Sequence, residues 1–66
     1  MKIWINGEPA ETNGLTNVAE LAAKYGLEPN TVLIEHNQTA LRGREWRERK
    51  LGENDRIEFV RVVAGG

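Results

Sequence analysis

The sequence predicts an α+β fold in which a mixed sheet of four or five strands packs against one helix on one face. Three observations support this prediction. Residues 56–63 form a bulky, β-branched run that is typical of a central strand. The Asn6-Gly7 pair indicates a tight hairpin near the start of the chain. Only residues 18–25 space their apolar side chains as one face of a helix.

The N-terminal hairpin is predicted first. Residues 1–5 form one strand, because Ile3 and Ile5 alternate with Lys2 and Trp4. The return strand covers about residues 8–12 and contains a proline at position 9, which lacks the N–H that an inner strand needs. We therefore expect this second strand at an edge of the sheet.

The helix is predicted to begin near Val18. Asn17 and Glu20 have the spacing of a capping box, in which each residue satisfies a free N–H at the helix start. Gly26 suits a left-handed residue that ends the helix, with Leu27 folding back. The apolar face comprises Val18, Leu21, Ala22 and Tyr25.

The remaining elements have weaker patterns. Residues 31–36 read as a third strand, and a short strand is expected around residues 40–41. Residues 43–46 are expected to form an irregular or 3₁₀ segment that places Trp46 in the core. A turn at residues 52–55 then leads into the final strand.

The final strand is the most apolar, so we expect it in mid-sheet, parallel to the first strand, with the helix across one face. A right-handed crossover from hairpin to helix permits this arrangement. It is the β-grasp, or ubiquitin-like, architecture. The predicted core comprises Ile3, Ile5, Val18, Leu21, Ala22, Tyr25, Val32, Ile34, Leu51, Ile57 and Phe59.

Composition narrows the functional classes. The 66 residues are expected to form a single domain, 1–66, which at this size buries only about 60% of the surface of its unfolded chain. A formal charge of −1 argues against non-specific nucleic-acid binding. The chain has no cysteine, no long apolar segment and no signal-peptide pattern, so we expect a cytoplasmic protein that does not bind membranes.

The side chains offer little catalytic chemistry. With no serine, no cysteine and one histidine, the sequence cannot build a Ser-His-Asp or Cys-His arrangement, so we expect no enzyme activity. His36, at the end of a strand, is expected to be a surface or hydrogen-bonded residue and not a metal ligand. Scattered carboxylates favour solubility over acid–base work: Glu28, Glu35, Glu53, Asp55 and Glu58.

Residues 42–50 carry five positive and two negative charges. Such a segment could bind RNA, with Trp46 as a stacking platform. However, Glu45 and Glu48 interrupt the basic run, and a tryptophan in so small a domain usually belongs to the core. A solvated loop is therefore the favoured interpretation, and no nucleic-acid partner is expected.

Val60 and Val62 alternate with Ile57 and Phe59, so they should point to the helix-free face of the sheet. Exposed valines on one face suggest a docking surface for a partner. The alternative is that they are isolated surface residues, which are common in soluble proteins.

The tail Ala64-Gly65-Gly66 follows the last strand with almost no side chain. We expect it to be flexible and able to enter a narrow channel in another protein. A free carboxylate is a poor electrophile, so chemistry at Gly66 requires activation by another enzyme, most simply by adenylation. The alternative is that the two glycines are a frayed end or a cloning scar.

Several motifs together resemble the ThiS family, the sulfur carriers of thiamine biosynthesis. They are the hairpin 1–11, Ile34-Glu35-His36-Asn37, Arg44-Glu45-Trp46, the run 52–58 and the terminal Val63-Ala64-Gly65-Gly66. Arg61, a long charged residue close to the tail, departs from the resemblance.

The resemblance implies a defined chemistry. An ATP-dependent enzyme of the ThiF type adenylates Gly66, the carboxylate becomes a thiocarboxylate (a C-terminal 1-thioglycine), and thiazole synthase ThiG receives the sulfur. The sulfur comes from cysteine through a desulfurase, and the carrier binds no cofactor itself. Because the chain has no cysteine, sulfur that it carries must sit on the terminal carboxylate.

Three alternatives remain open at this point. MoaD, the small subunit of molybdopterin synthase, shares the fold and the tail but is usually longer. A ubiquitin-like modifier would join Gly66 to a lysine amine after the same activation step. A binding module with an inert tail would keep its function if Gly66 were deleted. The fold does not separate these functions.

Overall fold

The computed structural model describes residues 1–61. Its elements are β1 (Lys2–Ile5), β2 (Glu8–Glu11), α1 (Val18–Lys24), β3 (Val32–His36), β4 (Thr39–Leu41), a 3₁₀ helix (Gly43–Glu48) and β5 (Arg56–Arg61). Positions 62–66, which include Val62, the end of the predicted last strand and the tail, lie outside the described residues.

The five strands form one mixed sheet in the order β2-β1-β5-β3-β4. The final strand, β5, lies in the middle, parallel to β1 and antiparallel to β3. β2 is at an edge, where the missing N–H of Pro9 costs no inner pairing. The predicted α+β fold, the parallel pairing of first and last strands and the edge position of strand two are confirmed.

Two hairpins have the same two-residue turn. Asn6 and Gly7 both have positive φ, at 50° and 85°, as a type I′ turn requires. Asn37 and Gln38, with φ of 51° and 74°, join β3 to β4 in the same way. Asparagine tolerates this region better than most residues, whereas glutamine does not share that preference.

Both ends of the helix form as predicted, except that Glu20 bonds to Thr16 and not to the N–H of Asn17. The Asn17 side chain accepts from the N–H of Glu20 at 2.8 Å. Glu20 accepts from the N–H and hydroxyl of Thr16, at 2.7 and 3.0 Å, and these bonds hold the pKa of its carboxyl below the usual value. Gly26 has φ 68°, and the N–H of Leu27 returns 2.9 Å to a carbonyl of the helix, a Schellman-type ending.

The core lies between α1, the 3₁₀ helix and one face of the sheet. Its buried apolar residues are Ile3, Val18, Leu21, Ala22, Val32, Ile34, Leu41, Trp46 and Ile57. Three further predicted members, Ile5, Leu51 and Phe59, are partly buried against it. Leu41 was not predicted, because it lies in a three-residue strand with little sequence pattern.

Tyr25 was predicted in the core, and this prediction is wrong. The side chain is 45% exposed. The helix ends at Lys24 and Tyr25 is its C-terminal cap, so the helical spacing no longer directs the ring into the core. The ring instead lies against Phe59.

In the part of the chain that the structure describes, no helix has both the length and the apolar character needed to cross a membrane.

Candidate functional site

The candidate site is the end of β5, from which residues 62–66 continue. β5 extends beyond β1, which ends at Ile5, so its outer portion lacks a strand partner on that side. The side chain of Asn6 takes over there, with its oxygen accepting from the N–H of Phe59 at 2.9 Å. On the opposite side β3 remains paired as far as Arg61. The strand is therefore held on both sides as far as Phe59, and β3 alone pairs with Val60 and Arg61. We call this the tail end of the sheet.

The opposite end of β5 is fixed by a group of hydrogen bonds that we call the polar clamp, formed by His36, Asn37, Arg49, Gly52 and Asp55. Nε2 of His36 lies 2.6 Å from the Asp55 carboxylate, and Nε of Arg49 donates to Nδ1 of His36 at 2.8 Å. Because an arginine nitrogen can only donate, Nδ1 accepts and the ring proton lies on Nε2. Both ring nitrogens are thus occupied, which leaves His36 no free position for a metal or a substrate.

Asp55 is the centre of the polar clamp. Burial raises the pKa of its carboxyl, but hydrogen bonds from His36, Asn37 and the N–H of Gly52 outweigh that effect and hold the pKa below its usual value. The interpretation of Asp55 as a solubilising carboxylate is therefore wrong. His36 is hydrogen-bonded, as one of the two expectations had it, and it is buried.

The clamp has no strong local sequence signal. Asp55 is 19 positions from His36, and Arg49 is 13 positions from it. The one available hint is that the chain contains a single histidine at the end of an apolar strand, where a buried polar ring needs partners.

At the tail end, the helix-free face of the sheet is apolar. Val60 is 48% exposed and lies directly across from Leu33, which is 37% exposed. Val60 points away from buried Ile57, as the alternation predicted. The next pair along the two strands is Glu35 opposite Glu58, two like charges in direct register. That Val60 and Val62 dock a partner stays a prediction.

The basic segment 42–50 serves the fold. Trp46 is only 4% exposed, so its indole face is not available to stack on a base. Its Nε1 has no hydrogen-bond partner among residues 1–61. A Cβ at Gly43 would lie 2.5 Å from Cβ of Pro29, so this position needs glycine for the close approach. Arg49 belongs to the polar clamp.

Within residues 1–61, no three histidine, aspartate or glutamate side chains are grouped so that they could hold a metal ion.

Comparison with known proteins identifies the family. The model of the ThiS family matches residues 3–66. The sulfur carrier protein ThiS of Thermus thermophilus is 34% identical over 97% of this chain and 98% of that protein. A thiazole synthase of Magnetococcus marinus is 33% identical over the whole chain, which spans only 20% of that longer protein.

A solved structure agrees with the sequence matches. The crystal structure of the thiamine biosynthesis protein ThiS from Geobacter metallireducens superposes with a TM-score of 0.85 at 26% identity, with all of both chains covered. The solution structure of a thiamine biosynthesis protein from the same organism gives 0.78. A match over nearly the whole length, in sequence and in fold, means that this chain belongs to the ThiS family.

Proposed function

We propose that this chain is a sulfur carrier of thiamine biosynthesis, which bears sulfur on the carboxylate of Gly66 and delivers it to a thiazole synthase. The observation that carries the proposal is the family match, which runs through the Val63-Ala64-Gly65-Gly66 motif to residue 66. The fold supports it, because the central strand β5 ends at Arg61, two positions before that motif in the sequence.

The proposed chemistry takes place on the tail. The Gly66 carboxylate attacks the α-phosphorus of ATP on a ThiF-type enzyme, pyrophosphate leaves, and a mixed anhydride forms. A desulfurase takes sulfur from cysteine as a persulfide, whose outer sulfur then attacks the acyl carbon, and AMP leaves. A thiol reduces the S–S bond of the resulting acyl disulfide, which frees the thiocarboxylate and leaves a disulfide on the donor side. The carrier contributes neither a serine nor a cysteine nucleophile, since its sequence contains neither residue. It acts as a group carrier and co-substrate.

The proposed acceptor is a thiazole synthase of the ThiG type. The Magnetococcus marinus thiazole synthase supports this choice, because one fifth of its length is similar to this whole chain. A stretch similar to a sulfur carrier within a thiazole synthase polypeptide is what we expect if the carrier delivers its sulfur to that synthase.

The proposed docking surface for the adenylating enzyme is the helix-free face at the tail end. Val60 is exposed there beside Leu33, and both are close to the point where residues 62–66 begin. Val62, the second predicted docking residue, lies outside the described residues.

The test is a mass measurement. The chain is incubated with a ThiF-type enzyme, ATP and a sulfur donor, and its C-terminal peptide should gain the mass difference between sulfur and oxygen. Deleting Gly66 should abolish the gain, because the carboxylate then ends roughly 3.5 Å short of the reaction centre. Adding one alanine after Gly66 should also abolish it, and unchanged amide NMR spectra would show that both variants remain folded.

Other results contradict the proposal in recognisable ways. A covalent adduct with a lysine of another protein would identify a protein modifier. No mass change with any candidate adenylating enzyme would indicate a tail that is not activated.

A further inference from the structure

Exposed apolar side chains are concentrated at one end of the molecule. Within residues 1–61, the large hydrophobic residues exposed to solvent are Tyr25, Leu33 and Val60, at 45%, 37% and 48%. Val60 immediately precedes the last described residue of β5, and Leu33 lies across from it. The Tyr25 ring lies 5.7 Å from the ring of Phe59, between centroids. All three therefore border the tail end.

These three side chains do not share one face. Leu33 and Val60 point to the helix-free face, whereas Tyr25 and Phe59 lie on the helix side. On the helix side there is a groove of about 510 Å³, which we call the Tyr25 groove. It runs between the C-terminal end of α1 and the N-terminal hairpin and is lined mainly by Ile5, Pro9, Ala10, Tyr25 and Phe59.

The Tyr25 groove offers little polar chemistry. The Asn6 side chain at its border is already engaged with the N–H of Phe59. Glu8, also at its border, is exposed to solvent and can stay hydrated. The chemistry of the groove therefore fits an apolar side chain of a partner.

The length of the segment beyond the described residues limits where that partner can be. Five residues, 62–66, extend at most about 17 Å from Arg61. An enzyme that reacts with Gly66 must therefore place its own surface against the tail end. A standard interface takes about 800 Å² from each partner. Leu33 and Val60, both half exposed or less, cannot provide that area alone, so the enzyme also contacts neighbouring surface.

We infer that the adenylating enzyme docks on both sides of the sheet, and that the Tyr25 groove receives an apolar side chain from the rim of the channel that takes residues 62–66. This inference rests on the proposed function and adds the helix-side surface to it. Contact on both faces fixes the direction in which the tail leaves β5.

The experiment measures binding of the full chain to its ThiF-type enzyme by calorimetry. Tyr25→Ser opens one wall of the groove and should raise Kd at least about tenfold. Lys24→Ser, at the adjacent exposed position of the same helix, leaves the groove intact and should change Kd by less than about twofold. Ala10→Lys keeps Tyr25 and projects a long side chain from edge strand β2 into the groove, so it should also weaken binding. Because Ala10 is half buried against the core, the amide spectrum of this variant is compared with that of the wild type as well.

The outcomes separate this inference from the proposed function. If the wild-type chain binds and gains sulfur but Tyr25→Ser and Ala10→Lys bind equally well, the groove is not a docking surface, and the carrier function stands. If Tyr25→Ser is poorly folded by its amide spectrum, Ala10→Lys decides alone. If the wild-type chain neither binds nor gains sulfur, both proposals are wrong.

Discussion

At the Arg56 end of β5, three hydrogen-bond donors converge on the carboxylate of Asp55, while at the Arg61 end the strand is bordered by exposed apolar side chains. The first end satisfies its polar groups within the fold. The second end leaves the apolar side chains of Leu33 and Val60 exposed among the described residues. One strand thus has an end that hydrogen bonds fix within the fold and an end that we propose for recognition.

The difference has an energetic basis. A chain of 66 residues buries a small core, so its margin of stability is narrow. Apolar side chains left in solvent at the tail end contribute little to that margin. The polar clamp restrains β5 at the other end, where it also joins the loop before β5 to the end of β3.

The largest expected effect is on the polar clamp. Asp55→Ala leaves the donors on His36, Asn37 and Gly52 without their acceptor, and the free energy of unfolding should fall by about 2–3 kcal/mol. Urea denaturation measures it. Glu28→Ala, at an exposed position, serves as the control and should change stability by less than about 0.5 kcal/mol. Equal effects of the two substitutions would remove the distinction between the two ends.

At the tail end, the effect should be on binding. Val60→Asp places a charge on the helix-free face and should weaken binding to the adenylating enzyme by ~1–3 kcal/mol, while stability changes little. Calorimetry measures the binding and thermal unfolding checks the fold. Unchanged binding would remove Val60 from the docking surface.

Lowering the pH should destabilise the fold through the polar clamp. The folded pKa of Asp55 is lowered, so its contribution to stability is complete above the unfolded value of about 3.9 and is lost as the pH falls through the folded value. The free energy of unfolding should therefore fall more steeply below pH 4 in the wild type than in Asp55→Asn. Glu20, whose pKa is lowered by Thr16, contributes a decrease of the same sign in both proteins. Parallel profiles from pH 6 to pH 2 would contradict this role of Asp55.

The smallest expected effect concerns Glu35 and Glu58. Like charges directly opposite each other on antiparallel strands are unfavourable, so Glu58→Gln should stabilise the fold by a few tenths of a kcal/mol at low salt. The gain should shrink in 1 M salt, where charges are screened within about 3 Å. A loss of stability at low salt would show that the pair is not repulsive in the folded chain.

Sequence reasoning worked where the signal was local. The Asn6-Gly7 turn, the Asn17 cap and the Gly26 ending each depend on a few neighbouring residues, and the apolar β5 was placed in mid-sheet from its composition. The exposure of Val60 followed from simple alternation.

The errors arose where residues distant in the sequence determine the burial or the partners of a side chain. Tyr25 has helical spacing, but the position of the helix end relative to β5 controls its burial. Asp55 appeared to be an ordinary turn carboxylate, because its partners His36 and Arg49 come from other elements. No local pattern reports such pairing, since it depends on the register between β3 and β5.

The central position of β5 also affects how the chain folds during synthesis. β5 is the last of the described strands to be made, yet β1 and β3 both pair with it, so neither half of the sheet is complete without it. Such long-range pairing forms late and folds slowly compared with local contacts. A chain that a ribosome releases before residue 56 therefore has no complete sheet and is open to proteolysis. Because of this strand order, only a chain that is translated through β5 can form the complete sheet.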